Sequence, residues 1–220
     1  MRLAAAVIIP GDDLAEFIFL FELVHIRERL RSHQPTLINP AATTRQAAVA
    51  IVLREHLGQP QVLFIERSKK EGDPWSGHMA FPGGHRDPED AGLREAAMRE
   101  TLEEIGLDLT PFTYLGALNH ERAQPRGRVL DMLIAPHIFE IHGDPHFAPN
   151  HEVAEVVWAP LTAMVRNQLH DMEERPVLGQ MTVFNGYRLE RGHFVWGLTY
   201  RILKSFFTTL DPKWVGPPEV

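Results

Sequence analysis

The chain has 220 residues, of which 44% are hydrophobic and 23% charged, enough to bury one good core with a small appendage. It has no cysteine, which excludes disulfides and thiolate chemistry and leaves carboxylates, carbonyls and imidazoles as the only metal donors. The formal charge of −7 argues against a general nucleic-acid surface, because such surfaces gather basic residues to displace counterions.

In chain order, Asp12 to about Ser32 predicts an amphipathic helix, with Asp12 or Asp13 as N-cap and arginines in its last turns. It is too interrupted by charge to be a membrane span, and no secretory leader is expected ahead of it. Its pattern suits either covering a face of the domain or forming a homodimer. A proline-bearing link follows and places a boundary, giving an extension over 1–40 and the main domain over 41–220.

"AAVAIVL" and "QVLFIER" read as paired strands joined through "REHLGQP", and the stretch up to "FPGG" reads as a loop. From Ala91 to Ile105 a helix is expected, with Met98, Thr101, Leu102 and Ile105 on its buried face and Gly106 as C-terminal cap. "FTYLGALNHERA", "RVLDMLIAPHIFEI" and "EVAEVVWAPL" read as strands, the last leading into a short helix. Asn185-Gly186 predicts a hairpin turn, and "HFVWGLTYRILKSFFTTL" a closing helix with Trp196 in its core. The mixture predicts an α+β fold or a mixed-sheet α/β/α sandwich.

The chemistry concentrates in "RETLEEIGL". Glu100, Glu103 and Glu104 share one arc of a helix, where like charges repel unless something neutralises them. The two glycines of "FPGG" allow close backbone approach to an ion or phosphate, and magnesium takes a few carboxylates plus substrate phosphates. A solvated face with Arg99 pairing to Glu95 and Glu103 is the simpler alternative for the glutamates alone.

The run "GGHRDPEDAGLREAAMRETLEEIGL" resembles the Nudix box, with Thr101 in a slot that is usually apolar and a loop one residue longer that puts Asp90 in the acidic position. The upstream Arg67-Ser68, Gly77 and "HMA" before "FPGG", and the downstream "VWGLTYRIL", are similar to the coenzyme A pyrophosphatase branch. The interior arginine of that branch's upstream motif is missing here, with only Lys69 and Lys70 nearby, and the interval to Gly77 is one residue longer.

The resemblance implies a Nudix-type α/β/α sandwich and hydrolysis of a nucleoside diphosphate linked to another group, with Mg2+ or Mn2+. Its metal ligands would be Glu100 and Glu104, with Glu103 as a shared ligand or water-orienting group and the Gly83 carbonyl as a fourth. Arg99 would hold the glutamates and Asp90 would anchor Arg99. Glu152 and Glu155 are the candidates for a general base, and Arg67, Lys69, Lys70, Arg122 and Arg126 for gripping the substrate. Trp75 could stack on a base or wedge its loop.

The implied substrate is coenzyme A or an acyl-CoA, giving 4′-phosphopantetheine or its acyl form and adenosine 3′,5′-bisphosphate. ADP-ribose, a dinucleotide or a nucleotide sugar is the alternative, and a non-catalytic nucleotide sensor a further one. A cytoplasmic setting, without nucleic-acid or membrane partners, is expected.

Overall fold

The structure is a computed structural model and describes residues 21–72, 75–123, 130–177 and 179–218. The central sheet starts from β1 (Arg45–His56) and β2 (Gln59–Arg67), an antiparallel hairpin. Leu57 and Gly58 both have positive φ, 51° and 72°. The expected seven-residue connection is therefore a two-residue turn whose backbone twist matches the strands it joins. Along its other edge β1 runs parallel to β7 (Met132–Glu140), which takes β5 (Thr113–Ala117) and β6 (Glu121–Arg122) as antiparallel neighbours.

Where β2 diverges from β1, two short strands fill in: β3 (Met79–Ala80) on β2 and β4 (Gly83–His85) on β1. On its far edge β2 carries β8 (Val153–Pro160), which leads into α3 (Leu161–Val165). A second sheet has β9 (His170–Val177), β10 (Gln180–Arg188) and β11 (Phe194–Trp196) in antiparallel order.

Strand alternation sends the two faces of the central sheet into separate cores. Ala48, Ala50, Val52, Leu63 and Ile65 pack with Ala96, Ala97 and Ile105 of α2 (Leu93–Ile105). Ile51, Leu53, Val62 and Phe64 belong to the opposite core, with α1 (Leu23–Ser32) and α4 (Gly197–Leu210). The outcome is an α/β/α sandwich with an added three-stranded sheet.

Of the expected N-terminal helix, the described part is α1; Asp12 and Asp13 lie outside the described residues. Ile26 and Leu30 are buried, and Phe21 meets Phe207 of α4 edge to face at 6.0 Å. Arg27 donates through Nε and Nη2 to both oxygens of Glu140, a β7 carboxylate with 1% side-chain exposure. Thus α1 shares the domain's core and covers its own apolar face there.

Three local expectations are corrected. In α2 the buried face is Ala96, Ala97, Thr101, Glu104 and Ile105, and Leu102 is half exposed. Asn185-Gly186 is not a turn: β10 runs straight through it, and a Cβ on Gly186 would strike the Val195 carbonyl and the Phe194 ring. The glycine there permits β11 to approach. Trp196 closes β11 as the N-cap of α4 and is partly exposed, because its extended backbone (φ −142°) precedes the helix.

Candidate active site

The box loop and α2 meet at Gly83, Gly84 and Arg99. The bonds Ala50 N–H to Pro82 C=O (2.8 Å) and Arg86 N–H to Gln46 C=O (2.9 Å) set the phase of the β1–β4 ladder. Gly83 then falls at a non-bonded position, where its peptide groups turn away from β1. Its N–H donates instead to Glu104 Oε2 at 2.9 Å. A Cβ at Gly83 would collide with the Ala48 carbonyl, and one at Gly84 would fall on the Glu100 carboxylate. Gly83 is thus required by close approach to backbone and by its φ of 149°, whereas at Gly84 a side chain would displace the Glu100 carboxylate.

Arg99 organises the carboxylates. Its Nε and Nη2 donate to the two oxygens of Asp90, each at 3.0 Å, and Nη2 also donates to the His85 carbonyl at 2.9 Å. Nη1 donates to Glu103 at 3.0 Å, and Glu100 Oε1 lies 3.1 Å from Nη2. Asp90 is buried, and its bond to Arg99 holds its pKa below the ordinary carboxylate range. It also accepts the Asp87 N–H at 2.8 Å, which ties the loop down.

Glu104 has only 2% exposure, and burial pushes its pKa up to about 7. The Gly83 N–H and the charge of Arg67 oppose that shift, while the charges of Glu100 and Glu152 add to it. Burial likewise raises Glu100, against the pull of Arg99. Two carboxylates disfavoured by burial and by each other form an oxygen donor set that fits a hard divalent cation, whose charge would favour both ionised forms.

Glu152 reaches this region from the turn before β8. Asn150 donates from Nδ2 to the Glu103 carbonyl (2.9 Å) and from its main chain to the Glu104 carbonyl (2.8 Å). Its Oδ1 accepts the Glu152 N–H at 2.8 Å, and the Glu152 carbonyl accepts Ser68 N–H at 2.8 Å. Asn150, absent from the sequence expectations, thereby fastens the end of α2 to the loop bearing Glu152.

Glu155 lies elsewhere. On β8 it faces Glu66 of β2 on the side away from α2, bonded to Arg191 and to His193 Nε2 (3.2 Å). Glu66, Glu155 and His193 form a cluster of acid and imidazole groups separate from the box.

The basic candidates divide similarly. Arg67 acts on Glu104, whereas Lys69 and Lys70 are exposed on the following loop. Arg122 pairs with Asp131 at 3.3 Å, and Arg126 lies outside the described residues. Trp75 is 37% exposed on the same loop as the lysines.

The NUDIX domain profile matches residues 43–180. The chain belongs to the Nudix family. The uncharacterized Nudix hydrolase NudL of Pectobacterium atrosepticum is 29% identical over 88% of this chain and 97% of its own length. An uncharacterized protein of Schizosaccharomyces pombe is 32% identical over 58% of this chain, a match that spans 45% of that longer protein. In fold, the chain is similar to the crystal structure of a MutT/nudix family protein from Enterococcus faecalis, with a TM-score of 0.50 and 17% identity over 93% of this chain and 75% of that one. This Nudix chain is accordingly a hydrolase of phosphoric anhydrides, built on the family's α/β/α sandwich. Among the described residues no helix is long and apolar enough to cross a membrane.

Proposed function

We propose that the chain hydrolyses the diphosphate of coenzyme A or an acyl-CoA, releasing 4′-phosphopantetheine or its acyl form and adenosine 3′,5′-bisphosphate. The observation that supports this substrate is the convergence of three separated segments on one site. Arg67 acts on Glu104, Ser68 N–H bonds to the Glu152 carbonyl, and Thr199 of α4 donates from Oγ1 to the Met79 carbonyl at 3.0 Å, directly ahead of "FPGG". These are the upstream arm, the box and the closing helix in which the sequence resembles the coenzyme A branch.

Glu100 and Glu104, with Glu103 and the Gly83 carbonyl, would hold Mg2+ or Mn2+. When bound, the cation supplies charge stabilisation for the phosphoryl oxygens. The chain's own residues do the rest. Arg99 fixes the rotamers of Glu100 and Glu103 through its fork of donors, and Asp90 keeps that fork in place. Glu152, on a turn rather than in a strand, takes the proton from the attacking water. Water then adds to one phosphorus, and the bridging P–O bond breaks toward the other.

The test is a panel of coenzyme A, its dephosphorylated form, ADP-ribose, dinucleotides and nucleotide sugars, each with Mg2+ and Mn2+ and with products identified by mass. The reading requires coenzyme A or an acyl-CoA to be turned over fastest. Coenzyme A cleaved no faster than ADP-ribose would overturn it. A cytoplasmic enzyme acting on a soluble nucleotide is the setting that accompanies this proposal.

A further inference from the structure

At the edge of the box loop lies a shallow, largely open cleft of about 580 Å3 lined by Thr44, Arg45, Gln46, His85, Arg86 and Asp87, with Pro88. Its base joins the first residues of β1 to the turn leaving β4, through the bond from Arg86 N–H to the Gln46 carbonyl. It shares a wall with the carboxylate site. His85 accepts from Arg99 Nη2, Asp87 Oδ2 lies 3.7 Å from the same atom, and that atom is 3.1 Å from Glu100. One guanidinium therefore separates the cleft from the glutamates.

The charges around the cleft are unusual for a chain with a net charge of −7. Arg45 and Arg86 are both exposed, and among the described residues neither forms an ion pair with a carboxylate. Arg86 spends one donor on the Asp90 carbonyl at 3.1 Å. Of the nearby acids, Asp87 faces Arg99, Asp131 is held by Thr44 Oγ1 at 2.8 Å and by Arg122, and Asp90 is forked by Arg99 while lying within the field of Arg86. Two guanidinium forks at one cleft, neither in an ion pair among the described residues, suit a planar or tetrahedral oxyanion.

We infer that this cleft is a second anion subsite, in which Arg45 and Arg86 grip a phosphate monoester on the part of the substrate that is not cleaved. The inference deepens the proposed function and rests on it only for the identity of the group, the 3′-phosphate of the adenosine half. The subsite would then determine preference among diphosphates, a role apart from the chemistry at the glutamates.

The test measures binding of adenosine 3′,5′-bisphosphate and of adenosine 5′-monophosphate by calorimetry, each with Mg2+. The unaltered protein should bind the bisphosphate at least about tenfold tighter, as a charge-assisted contact implies. The double variant Arg45→Ala, Arg86→Ala should bring the two affinities within about twofold. Arg45→Ala alone should lose part of the preference; its side chain holds no loop in place, so a folding defect does not obscure the result. Equal affinities in the unaltered protein, no detectable binding of either nucleotide, or a preference that survives the double variant would each overturn the subsite. If the preference disappears as expected but coenzyme A is a poor substrate, the substrate assignment fails and the subsite stands.

Discussion

Arg99 and Asp90 form a two-pronged pair in which Nε and Nη2 each meet one carboxylate oxygen at 3.0 Å, although they lie nine positions apart, one on the helix and the other on the loop before it. Lysine offers a point charge and cannot reproduce that fork. Arg99→Lys should therefore retain the fold while lowering kcat about 10- to 100-fold, the range seen when groups supporting a metal site are removed. Asp90→Asn should give a similar loss. Steady-state kinetics on both variants and their double should show strong non-additivity, and independent, additive losses would contradict the coupling.

Gly84 makes a sharper demand. A methyl group there would occupy the position of the Glu100 carboxylate, so Gly84→Ala should displace that side chain without needing an unusual backbone angle. Activity is expected to fall by about a hundredfold, while the thermal midpoint moves little, since Gly84 is not fully buried. Melting curves beside kinetics would test the separation. A variant retaining full activity would show that Glu100 need not sit where the structure has it.

The two acids proposed as general base give opposite expectations. Glu152→Gln should reduce kcat by about 10²- to 10⁴-fold with little change in KM, the usual contribution of a positioned base. Glu155→Gln should leave kcat within about twofold and change stability by about 1 kcal/mol, because Glu155 serves the contact among Glu66, Arg191 and His193. Rate measurements on the pair decide the matter, and a large kcat loss in Glu155→Gln alone would reverse the assignment.

His137 carries a pH prediction for stability. It is buried on β7, its Nδ1 is 3.0 Å from the Tyr114 hydroxyl, and Nε2 has no hydrogen-bond partner among the described residues. Burial lowers its pKa from 6.5 to about 4, with the charges of His120 and Arg94 adding to the shift and that of Glu95 opposing it. Between those two pH values the unfolded chain binds the extra proton, so stability is complete above about 6.5 and declines as pH falls toward 4. Urea midpoints measured from pH 7 to 4.5 should fall less steeply in His137→Asn, which keeps an acceptor near Tyr114. Parallel slopes would exclude His137 as a source of the decline.

The box was legible in the sequence because its chemistry is local: Glu100, Glu103, Glu104 and Gly106 follow from helical spacing and one left-handed cap. The sandwich followed from the strand and helix patterns. Glu104's burial was less legible, since the helix rotation that exposes Leu102 is set by the sheet beneath it. The choice between Glu152 and Glu155 depended on where β8 begins and on the irregular register at Glu66 and Arg67, both products of tertiary pairing. Asn150 carried no motif because the two α2 carbonyls it meets, those of Glu103 and Glu104, lie 47 and 46 residues away in the chain, and Gly186 mimicked a turn signal while serving a close strand contact.

The Arg27–Glu140 pair ties a helix outside the stretch matching the family profile, 43–180, to a buried carboxylate inside it. Trimmed to those bounds, the chain would keep Glu140 buried without its guanidinium partner, a loss that the partial exposure of Arg27 moderates. It would also lack α4, whose Phe206 and Phe207 fill the core opposite the box. The box loop and its helix thus lie on a sheet whose opposite face is braced by a strap from before the profile match and a plug from after it.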